Sequence, residues 1–201
     1  MTSTLMRRTV VRTALWYCGL LEPQTQTTVA ERAALGRHAA NCRRLIEIGV
    51  FNGVSTLTIR NAMAPDGVLW AVDPFYPGQL GFNLDEHISK WMAGRSRNGI
   101  CKFLKQTGTE AANTYRVQRL PPVDFVFIDA DHTWKGIEAD WSGWGPLIGA
   151  GGVVALHDSR SCPDNPITHD SVRYTNEVIR RDPRFEVIDE VDTLTVLRAT
   201  E

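Results

Sequence analysis

The chain has 201 residues, of which 43% are hydrophobic, 22% charged and 8% aromatic. These proportions are those of an ordinary folded protein, and they exclude a disordered, collagen-like or coiled-coil chain, each of which needs a strong compositional bias. The formal net charge of −1 lacks the basic excess that nucleic-acid binders usually carry. We therefore expect a small-molecule enzyme without a nucleic-acid partner.

The N-terminal part of the chain contains an apolar stretch at residues 14–21 that follows several arginines. Arg12 lies close to this stretch, and no Ala-x-Ala-like cleavage site precedes Glu22, so the pattern argues against a secretory signal peptide. No stretch free of charged residues reaches the about 18 residues of a membrane span, so no membrane partner is expected. We interpret residues 1–43 as a helical segment that packs on the domain or on a second copy of the chain.

The cysteines are scattered and show no paired spacing. A structural zinc site or a redox motif would need ligands such as C-x-x-C, so both are disfavoured. A chain of this size with so few cysteines does not resemble a secreted disulfide framework. We therefore expect reduced thiols and a cytoplasmic location. The four residues are Cys18, Cys42, Cys101 and Cys162.

Apolar segments rich in β-branched residues recur along the rest of the chain, with helical stretches between them. Near-continuous hydrophobic strands joined by helical crossovers indicate a parallel sheet that is covered on both faces. We predict helices at residues 54–63 and 168–181. The predicted parallel strands are residues 45–48, 68–73, 100–105, 124–129 and 152–157.

The C-terminal segment has a different pattern. Residues 185–191 and 194–198 are two further strands, separated only by Asp192 and Thr193. So short a link permits a hairpin and excludes a crossover helix, so the last two strands are antiparallel. The prediction is one α/β domain over residues 1–201, doubly wound, with a mostly parallel seven-stranded sheet that ends in an antiparallel hairpin.

A glycine-containing loop joins the first predicted strand to its helix, with the sequence E-I-G-V-F-N-G-V-S-T from Glu47 to Thr56. Gly49 and Gly53 allow a tight turn and a close approach of the backbone to a ligand. The loop lacks the G-x-G-x-x-G pattern of pyrophosphate-binding dinucleotide enzymes. Asp73, at the end of the second strand, is placed to accept hydrogen bonds from ribose hydroxyls. This combination suits a nucleoside without a pyrophosphate.

Two acidic residues, Asp129 and Asp158, follow the fourth and fifth predicted strands. Parallel strands end at the same edge of a sheet, so these carboxylates can converge and would repel each other without a cation. Hard oxygen ligands suit Mg²⁺ or another divalent cation. Such an ion could chelate a hydroxylated substrate and lower the pKa of its hydroxyl.

Three motifs together resemble the class I S-adenosylmethionine-dependent methyltransferases: E-I-G-x-x-x-G-x-S-T, V-D after strand two and F-I-D-A-D after strand four. The resemblance extends from about residue 44 to the C-terminus. It implies a Rossmann-like fold over a cofactor-binding core at residues 44–201, S-adenosylmethionine as cofactor, and methyl transfer to a small-molecule acceptor. The residues that it implies in cofactor binding are Glu47, Gly49, Gly53, Ser55, Asp73, Thr107, Gly108 and Asp129.

The resemblance also implies a role for each part of the loop region. The two loop glycines would line the methionine part of the cofactor, and Glu47 would help to place its amino group through backbone or water contacts. Asp73 would hold the ribose, and the turn at residues 106–109 would lie beside the adenine. For Ser55 and Thr56 an alternative stays open, since both could simply cap the N-terminus of the following helix.

The residues after strands four and five are similar to those of metal-dependent O-methyltransferases, including catechol and caffeoyl-CoA O-methyltransferases. That family has an Asp after strand four, which Asp129 matches, and an Asp-Asn pair after strand five, which corresponds to Asp158 and Ser159. Its catalytic Lys is replaced here by His132, and imidazole remains suitable as a general base at neutral pH. The implied catalytic residues are His132 and Asp129, and the implied metal ligands are Asp129, Asp158 and Ser159. The stretches D-A-D-H-T-W and L-H-D also resemble a methyltransferase subgroup that modifies antibiotics and sugars.

Several alternatives stay open on the sequence alone. Asp73 could hold the ribose of a nicotinamide dinucleotide in an NAD(P)-dependent oxidoreductase, or the fold could serve as a non-catalytic cofactor-binding module. Two His and two Asp could form an iron site of the kind that oxygenases use, although the glycine loop would then have no purpose. Asp131 could cap the helix that begins near Thr133. His157 is interpreted as a structural histidine, and no role is assigned to His169.

Overall fold

The computed structural model describes residues 11–77, 81 and 83–200; the beginning of the predicted N-terminal segment and part of the loop at 74–83 lie outside them. Seven strands are formed: β1 Arg44–Ile48, β2 Val68–Val72, β3 Ile100–Leu104, β4 Val123–Ile128, β5 Ile148–Leu156, β6 Phe185–Val191 and β7 Leu194–Ala199.

Helices connect the strands and cover the sheet. They are α1, whose described part is residues 11–17, α2 Val29–Ala39, α3 Val54–Ala62, α4 Leu84–Gly94, α5 Gly108–Val117, α6 Trp134–Trp144 and α7 Asp170–Glu177. Two 3-10 turns follow α6 and α7, at Gly145–Leu147 and Ile179–Arg181. Among the described residues, no helix has the length and apolar character that crossing a membrane would need.

The strands form one sheet in the order β3-β2-β1-β4-β5-β7-β6. Strands β1 to β5 are parallel, whereas β7 is antiparallel to both β5 and β6. The predicted fold class is thereby confirmed, including the hairpin through Asp192 and Thr193. The strand order reverses direction at β1, which pairs with both β2 and β4, and ligands of open α/β sheets bind at the carboxyl ends of such neighbouring strands.

Alternate residues of the central strands face opposite sides of the sheet, because successive side chains of a strand point in opposite directions. Ile46, Val126 and Val154 contribute to the core beneath α5, α6 and α7. Leu45 and Phe127 contribute to the core on the opposite face, beneath α2 and α3. Both faces are therefore buried, which is why the sequence of each central strand is almost continuously hydrophobic.

Two predicted elements differ from the structure by more than one residue in their bounds. The helix predicted at residues 168–181 is interrupted, since α7 ends at Glu177 and a 3-10 turn follows. The fifth strand begins at Ile148, before the glycines that suggested a turn, because Ile148 pairs with Val123 across a register shift. Tertiary pairing here outweighs the low strand propensity of glycine.

Candidate active site

A cavity of about 770 Å³ opens at the carboxyl ends of β1, β2 and β4. This volume falls within the range of small-molecule sites. We call it the central cavity. Its lining includes the glycine loop, the residues after β2, the turn before α5, the residues after β4 and the inner side of α6. The parts concerned are residues 48–55, 72–76, 106–109, 129–131, 136, 139 and 140.

The first turn of the glycine loop depends on Gly49, which has a φ of +86°. A Cβ atom placed there would lie 1.8 Å from the carbonyl oxygen of Asp129. The loop is also tied to the sheet, since Gly49 N donates to the Val72 carbonyl at 2.9 Å. Only glycine fits both this backbone conformation and this close approach of two strand ends.

The Glu47 side chain supports the loop from below. It is completely buried, and its two carboxylate oxygens accept from Ser55 Oγ and Thr56 Oγ1, each at 2.6 Å. Burial raises the pKa of Glu47 to about 8, against the effect of these hydrogen bonds, and Asp129 and Asp73 add to the rise. The residue before α3 is Gly53, which makes no side-chain cap. Ser55 and Thr56 thus hold Glu47, and the capping alternative for them is wrong.

Because Glu47 lies beneath the loop, its side chain does not line the central cavity. A contact between Glu47 and a cofactor would have to pass through its backbone or through the loop that it supports. Gly49, Gly53 and Ser55, in contrast, all border the cavity. The predicted loop residues are therefore brought together, with Glu47 in a supporting position.

Asp73 lies where the sequence predicted a ribose-binding carboxylate, on the wall of the central cavity. Its Oδ2 accepts from Val50 N at 3.0 Å, and its Oδ1 accepts from Phe75 N at 2.8 Å. The carboxylate therefore connects the end of β2 with the glycine loop. Each carboxylate oxygen has two lone pairs, so acceptor positions remain for a ligand hydroxyl.

The turn before α5 is rigid. Thr107 is the N-cap of α5 and forms a capping box with Glu110, whose backbone N donates to Thr107 Oγ1 at 3.3 Å. Trp144 Nε1 donates to the carbonyl of Gly108 at 3.0 Å and anchors the turn to α6. Thr107 and Gly108 both border the cavity, while the Thr107 side chain is occupied by the cap.

Asp129 connects the central cavity with a buried ion-pair chain. Its Oδ1 lies 3.0 Å from His157 Nδ1, and His157 Nε2 lies 3.4 Å from Glu31 Oε2 on α2. Burial would lower the pKa of His157, but hydrogen bonds to Asp129 and Glu31 raise it to about 10. His157 is therefore a cation between two carboxylates, and both of its ring nitrogens are in use. This geometry fits the structural role that we predicted for it.

The two carboxylates of this ion-pair chain, Asp129 and Glu31, are held in their charged form. For Asp129, burial would raise the pKa, but the neighbouring His132 and His157 side chains lower it to about 2. Burial would also raise the pKa of Glu31, but His157, Thr28 and Thr193 donate hydrogen bonds that lower it to about 2. Opposite charges and hydrogen bonds thus offset the desolvation of each acid.

His132 lies between the two predicted metal-binding acids. Its Nε2 is 3.5 Å from Asp129 Oδ1, and its Nδ1 is 3.8 Å from Asp158 Oδ2. The proximity of Asp129 is the main cause that raises the pKa of His132. At 3.5 Å the contact is an ion pair without good hydrogen-bond geometry, and Nε2 is buried with no hydrogen-bond partner among the described residues. Nε2 is therefore a buried nitrogen that faces the Asp129 carboxylate without a hydrogen bond of good geometry.

His169 also belongs to this group of residues, although no motif marks it. Its ring stacks on that of His132 with a centroid distance of 5.2 Å. Ligand atoms of His132, Asp158 and His169 all lie within 4.8 Å of one another. A second group with the same property consists of Asp129, His132 and His157. The histidines and acids after β4 and β5 form what we call the His/Asp cluster, made of Asp129, His132, His157, Asp158 and His169.

The predicted metal ligands need a correction at Ser159. Its hydroxyl is buried, donates to the Leu156 carbonyl at 2.8 Å and accepts from Thr195 N at 3.0 Å. These bonds tie the end of β5 to β7 and use the hydroxyl hydrogen and one lone pair, so Ser159 does not offer the free side-chain carbonyl that the Asn of the metal-dependent pattern would supply. Two carboxylates remain, and nearby imidazoles add nitrogen donors. Such a set fits a borderline divalent ion such as Zn²⁺, Co²⁺ or Mn²⁺ better than Mg²⁺.

A second correction concerns Asp131. The N-cap of α6 is Thr133, whose Oγ1 accepts from Gly136 N at 3.1 Å. Asp131 lies two residues earlier and accepts from Thr133 N at 2.9 Å. Asp131 thus stabilises the approach to the helix and is not its cap, and it also borders the central cavity.

Sequence reasoning missed three residues of this region. Glu31 and His169 are far in sequence from every motif, and only the tertiary fold brings them to the cluster. Asp140 could have been noticed, because it shares a helical face with Ile137 and Trp144, which are buried. An acidic residue within such an apolar stripe predicts a buried carboxylate, and because burying one is costly, it indicates a functional residue.

Comparisons with known proteins bear on the family and the fold of the chain. A family model described as a methyltransferase domain matches residues 46–159, which is more than half of the chain. An uncharacterized protein, y4gI, of Sinorhizobium fredii is 28% identical over 127 residues, covering 61% of this chain and 14% of that protein. The probable caffeoyl-CoA O-methyltransferase 1 of Dictyostelium discoideum is 27% identical over 168 residues, covering 78% of this chain and 63% of that protein. The chain thus spans less than two thirds of the length of these two relatives.

Among solved structures, the O-methyltransferase from Bacillus cereus in complex with SAH has the same fold. Its TM-score to this chain is 0.66 at 17% sequence identity, and the match covers 100% of this chain and 92% of that one. The predicted resemblance to class I methyltransferases is confirmed by the family match and by the shared fold. The chain belongs to the methyltransferase domain family.

Proposed function

We propose that the chain transfers a methyl group from S-adenosylmethionine to a hydroxyl group of a small molecule. The observation that carries this proposal is the course of the central cavity. It runs from the glycine loop and Asp73 to Asp129, whose carboxylate also contacts His132. A nucleoside cofactor in the cavity would thus lie beside Asp129, and the proposed base, His132, lies 3.5 Å from that carboxylate.

The cofactor would be held mainly by rigid backbone. Gly49 and Gly53 would let the methionine part approach the chain closely, and Asp73 would accept hydrogen bonds from the ribose hydroxyls. The turn at Thr107 and Gly108 would lie beside the adenine. The relatives named above support this assignment, since one is named as an O-methyltransferase and another was solved with SAH.

The reaction needs alignment and the removal of one proton. The acceptor oxygen attacks the methyl carbon in line with the carbon–sulfur bond, which breaks and leaves S-adenosylhomocysteine with the electron pair on sulfur. In this proposal the hydroxyl proton goes to a ring nitrogen of His132. Asp129 stabilises the imidazolium that forms, because its carboxylate stays charged beside the ring. A small acceptor that fits the cavity would be held in line by its walls.

A divalent ion, if bound, would lower the pKa of the acceptor hydroxyl. His132, Asp158 and His169 would hold it, with Asp129 on the cavity side. His132 cannot use one nitrogen both as a ligand and as a base, so a bound ion would transfer the task of proton removal to another group. Chelation by EDTA separates the two cases: activity that survives exhaustive chelation leaves His132 as the base.

The proposal also covers the domain extent, the cellular location and the oligomeric state of the enzyme. We propose one domain over residues 1–201 in the cytoplasm, and the four cysteines support this because all are free thiols. A homo-oligomer through the N-terminal segment is supported by exposed apolar side chains there, such as Tyr17 and Leu20. No nucleic acid is expected, since the acids around the cavity would repel a phosphate backbone. Light scattering of the purified protein would give the oligomeric state.

Calorimetric titration tests the proposed cofactor. S-adenosylhomocysteine should bind, whereas NAD⁺ should not, because the glycine loop lacks the pyrophosphate pattern. Tight binding of NAD⁺ alone would instead indicate an oxidoreductase. Transfer should then be measured with labelled S-adenosylmethionine against a panel of catechols, phenols and sugars. Binding without transfer to any of them would favour a non-catalytic module.

A further inference from the structure

Asp140 is a buried carboxylate that the proposed reaction does not use. It lies on α6, is 6% exposed and borders the central cavity. None of the described residues donates a hydrogen bond to it. Burial raises its pKa to about 7, and the carboxylate of Asp131 adds to the rise. Leaving such a group without a donor is unfavourable, so a donor from a ligand is expected to complete it.

The absence of a side chain at Gly108 leaves space for the Asp140 carboxylate. Asp140 Oδ1 lies so close to Gly108 that a Cβ atom at position 108 would be 2.0 Å from it. The carboxylate therefore reaches the wall of the cavity at the N-terminus of α5. A larger residue at position 108 would displace it, which ties the glycine of this turn to the acid on the facing helix.

Small and apolar residues line this part of the cavity around Asp140. The residues Gly108, Gly136 and Ala139 border it and carry little or no side chain. Ile48 and Val72 supply apolar surface on the side of the sheet. Asp140 is thus a buried carboxylate acceptor beside this apolar surface, and Gln106 Oε1, on the turn before α5, is a second buried acceptor without a partner among the described residues.

The proposed cofactor has one flat group with N–H donors at its edge, the exocyclic amine of adenine. Its other donors are assigned elsewhere, because the ribose hydroxyls belong to Asp73 and the amino group to the glycine loop. We propose that the carboxylate of Asp140 accepts a hydrogen bond from the amine at position 6 of adenine and thereby selects this purine. This inference rests on the proposed function, since it takes S-adenosylmethionine as the cofactor.

The proposed contact predicts which nucleosides are rejected. S-inosylhomocysteine has a carbonyl oxygen where S-adenosylhomocysteine has the amine. At a pH above the raised pKa of Asp140, where the titrations are run, it would place a carbonyl oxygen against a carboxylate, which cannot donate. A site built around a substrate N–H rejects an analogue that lacks it, because the buried partner is left unpaired. Either protonation state of Asp140 keeps an oxygen that can accept from the amine.

The experiment compares two ligands on three proteins. Calorimetry measures the dissociation constants of S-adenosylhomocysteine and S-inosylhomocysteine for the wild type, for Asp140→Asn and for the control Glu138→Gln, an exposed residue of the same helix. We expect the wild type and the control to favour the adenosyl ligand by about tenfold or more. In Asp140→Asn the side-chain amide can donate to the inosyl carbonyl, so the preference should fall below about threefold or reverse.

Three outcomes would decide the matter. An unchanged preference in Asp140→Asn overturns this inference while leaving the proposed cofactor intact. A wild type that binds both ligands equally also overturns it. A wild type that binds neither ligand defeats the proposed function, and the inference with it. Asparagine is the same size as the neutral acid, so the variant should fold, and its melting temperature verifies this.

Discussion

The two halves of the candidate active site are built from different interactions. At the ends of β1 and β2, the carboxylate of Asp73 and the turn at Gly49 meet backbone amides and carbonyls. At the ends of β4 and β5, ionisable side chains meet one another, as in the contact between Asp129 and His157. The first half depends on backbone geometry, whereas the second depends on charge.

This difference separates two kinds of sensitivity. The first half should be sensitive mainly to changes of shape, because the backbone amides and carbonyls that form most of it do not titrate. Its titrating support is the buried Glu47, whose pKa is raised to about 8. A site made of imidazoles and carboxylates tolerates small changes of shape but depends on protonation and on cations. Variants in the two halves should therefore fail in different ways, and the predictions below use that contrast.

The largest effect is expected in the first half, from Gly49→Ala. The added Cβ would meet the carbonyl of Asp129 in a left-handed backbone region, so both the loop and the neighbouring strand end must move. We expect a loss of about 3 kcal/mol or more in the free energy of unfolding. Binding of S-adenosylhomocysteine should fall by roughly a hundredfold or more, since about 2.7 kcal/mol corresponds to that factor.

Urea denaturation and calorimetry give these two quantities. The matched control is Gly151→Ala, where φ is also positive but nothing lies within 4 Å of the added atom. Only the backbone strain of about 1–2 kcal/mol applies there. Equal losses in both variants would show that the close approach at Gly49 is unimportant.

In the second half, Asp129→Asn should separate catalysis from binding. The amide keeps the size of the side chain but removes the charge beside His132 and His157. We expect kcat to fall by roughly a hundredfold, within the range of general acid–base catalysis. The affinity for S-adenosylhomocysteine should stay within about threefold of the wild type, because less than about 1 kcal/mol is at stake. A variant with full turnover would contradict the role of the cluster in proton removal.

Metal binding distinguishes the ligands predicted from the sequence, which are Asp129, Asp158 and Ser159, from the histidine-containing His/Asp cluster. Titration of the EDTA-treated protein with Co²⁺, followed by its visible absorption, should show a site whose affinity falls by roughly tenfold or more in His169→Ala. Ser159→Ala should lower stability, since three buried hydrogen bonds are lost, but should leave Co²⁺ affinity unchanged. The reverse pattern would restore Ser159 as a ligand, and the absence of any Co²⁺ site would remove the ion from the proposal.

The smallest expected effect is a pH dependence of stability that arises from Asp140. Its pKa is raised from 3.8 to about 7 in the folded chain, so the folded state binds more protons than the unfolded state between those values. Stability is therefore lost as the pH rises from about 4 to about 7. Asp140→Asn removes this loss, and its Tm relative to the wild type should be at least roughly 3 °C higher at pH 8 than at pH 4. Glu138→Gln should show no such difference.

The first half of the site, at the ends of β1 and β2, could be predicted because the sequence features that indicate it are local. The glycines of the loop, the strand before it and Asp73 lie in two short segments, and their spacing implies their positions. The two-residue link at Asp192 and Thr193 likewise required a hairpin, and the structure contains it.

The second half of the site, at the ends of β4 and β5, could be predicted only in part. Asp129 and Asp158 follow strong strands, so their convergence followed from sheet geometry. The partners of these acids, however, come from α2 and from the loop before α7, and nothing in the sequence of Glu31 or His169 indicates this. Ser159 was misjudged because the position matches a motif, while the direction of the hydroxyl depends on pairing with β7.

The contact between Glu31 and His157 bears on how this protein should be shortened or compared with others. A boundary at residue 44, or one taken from the family match at 46–159, would keep every motif but discard the carboxylate that faces the buried imidazolium. Removing one partner of a buried ion pair leaves an uncompensated charge, which is strongly destabilising. The smallest piece able to preserve the His/Asp cluster therefore begins before Thr28 and extends past Thr193, and relatives are best aligned over that whole span.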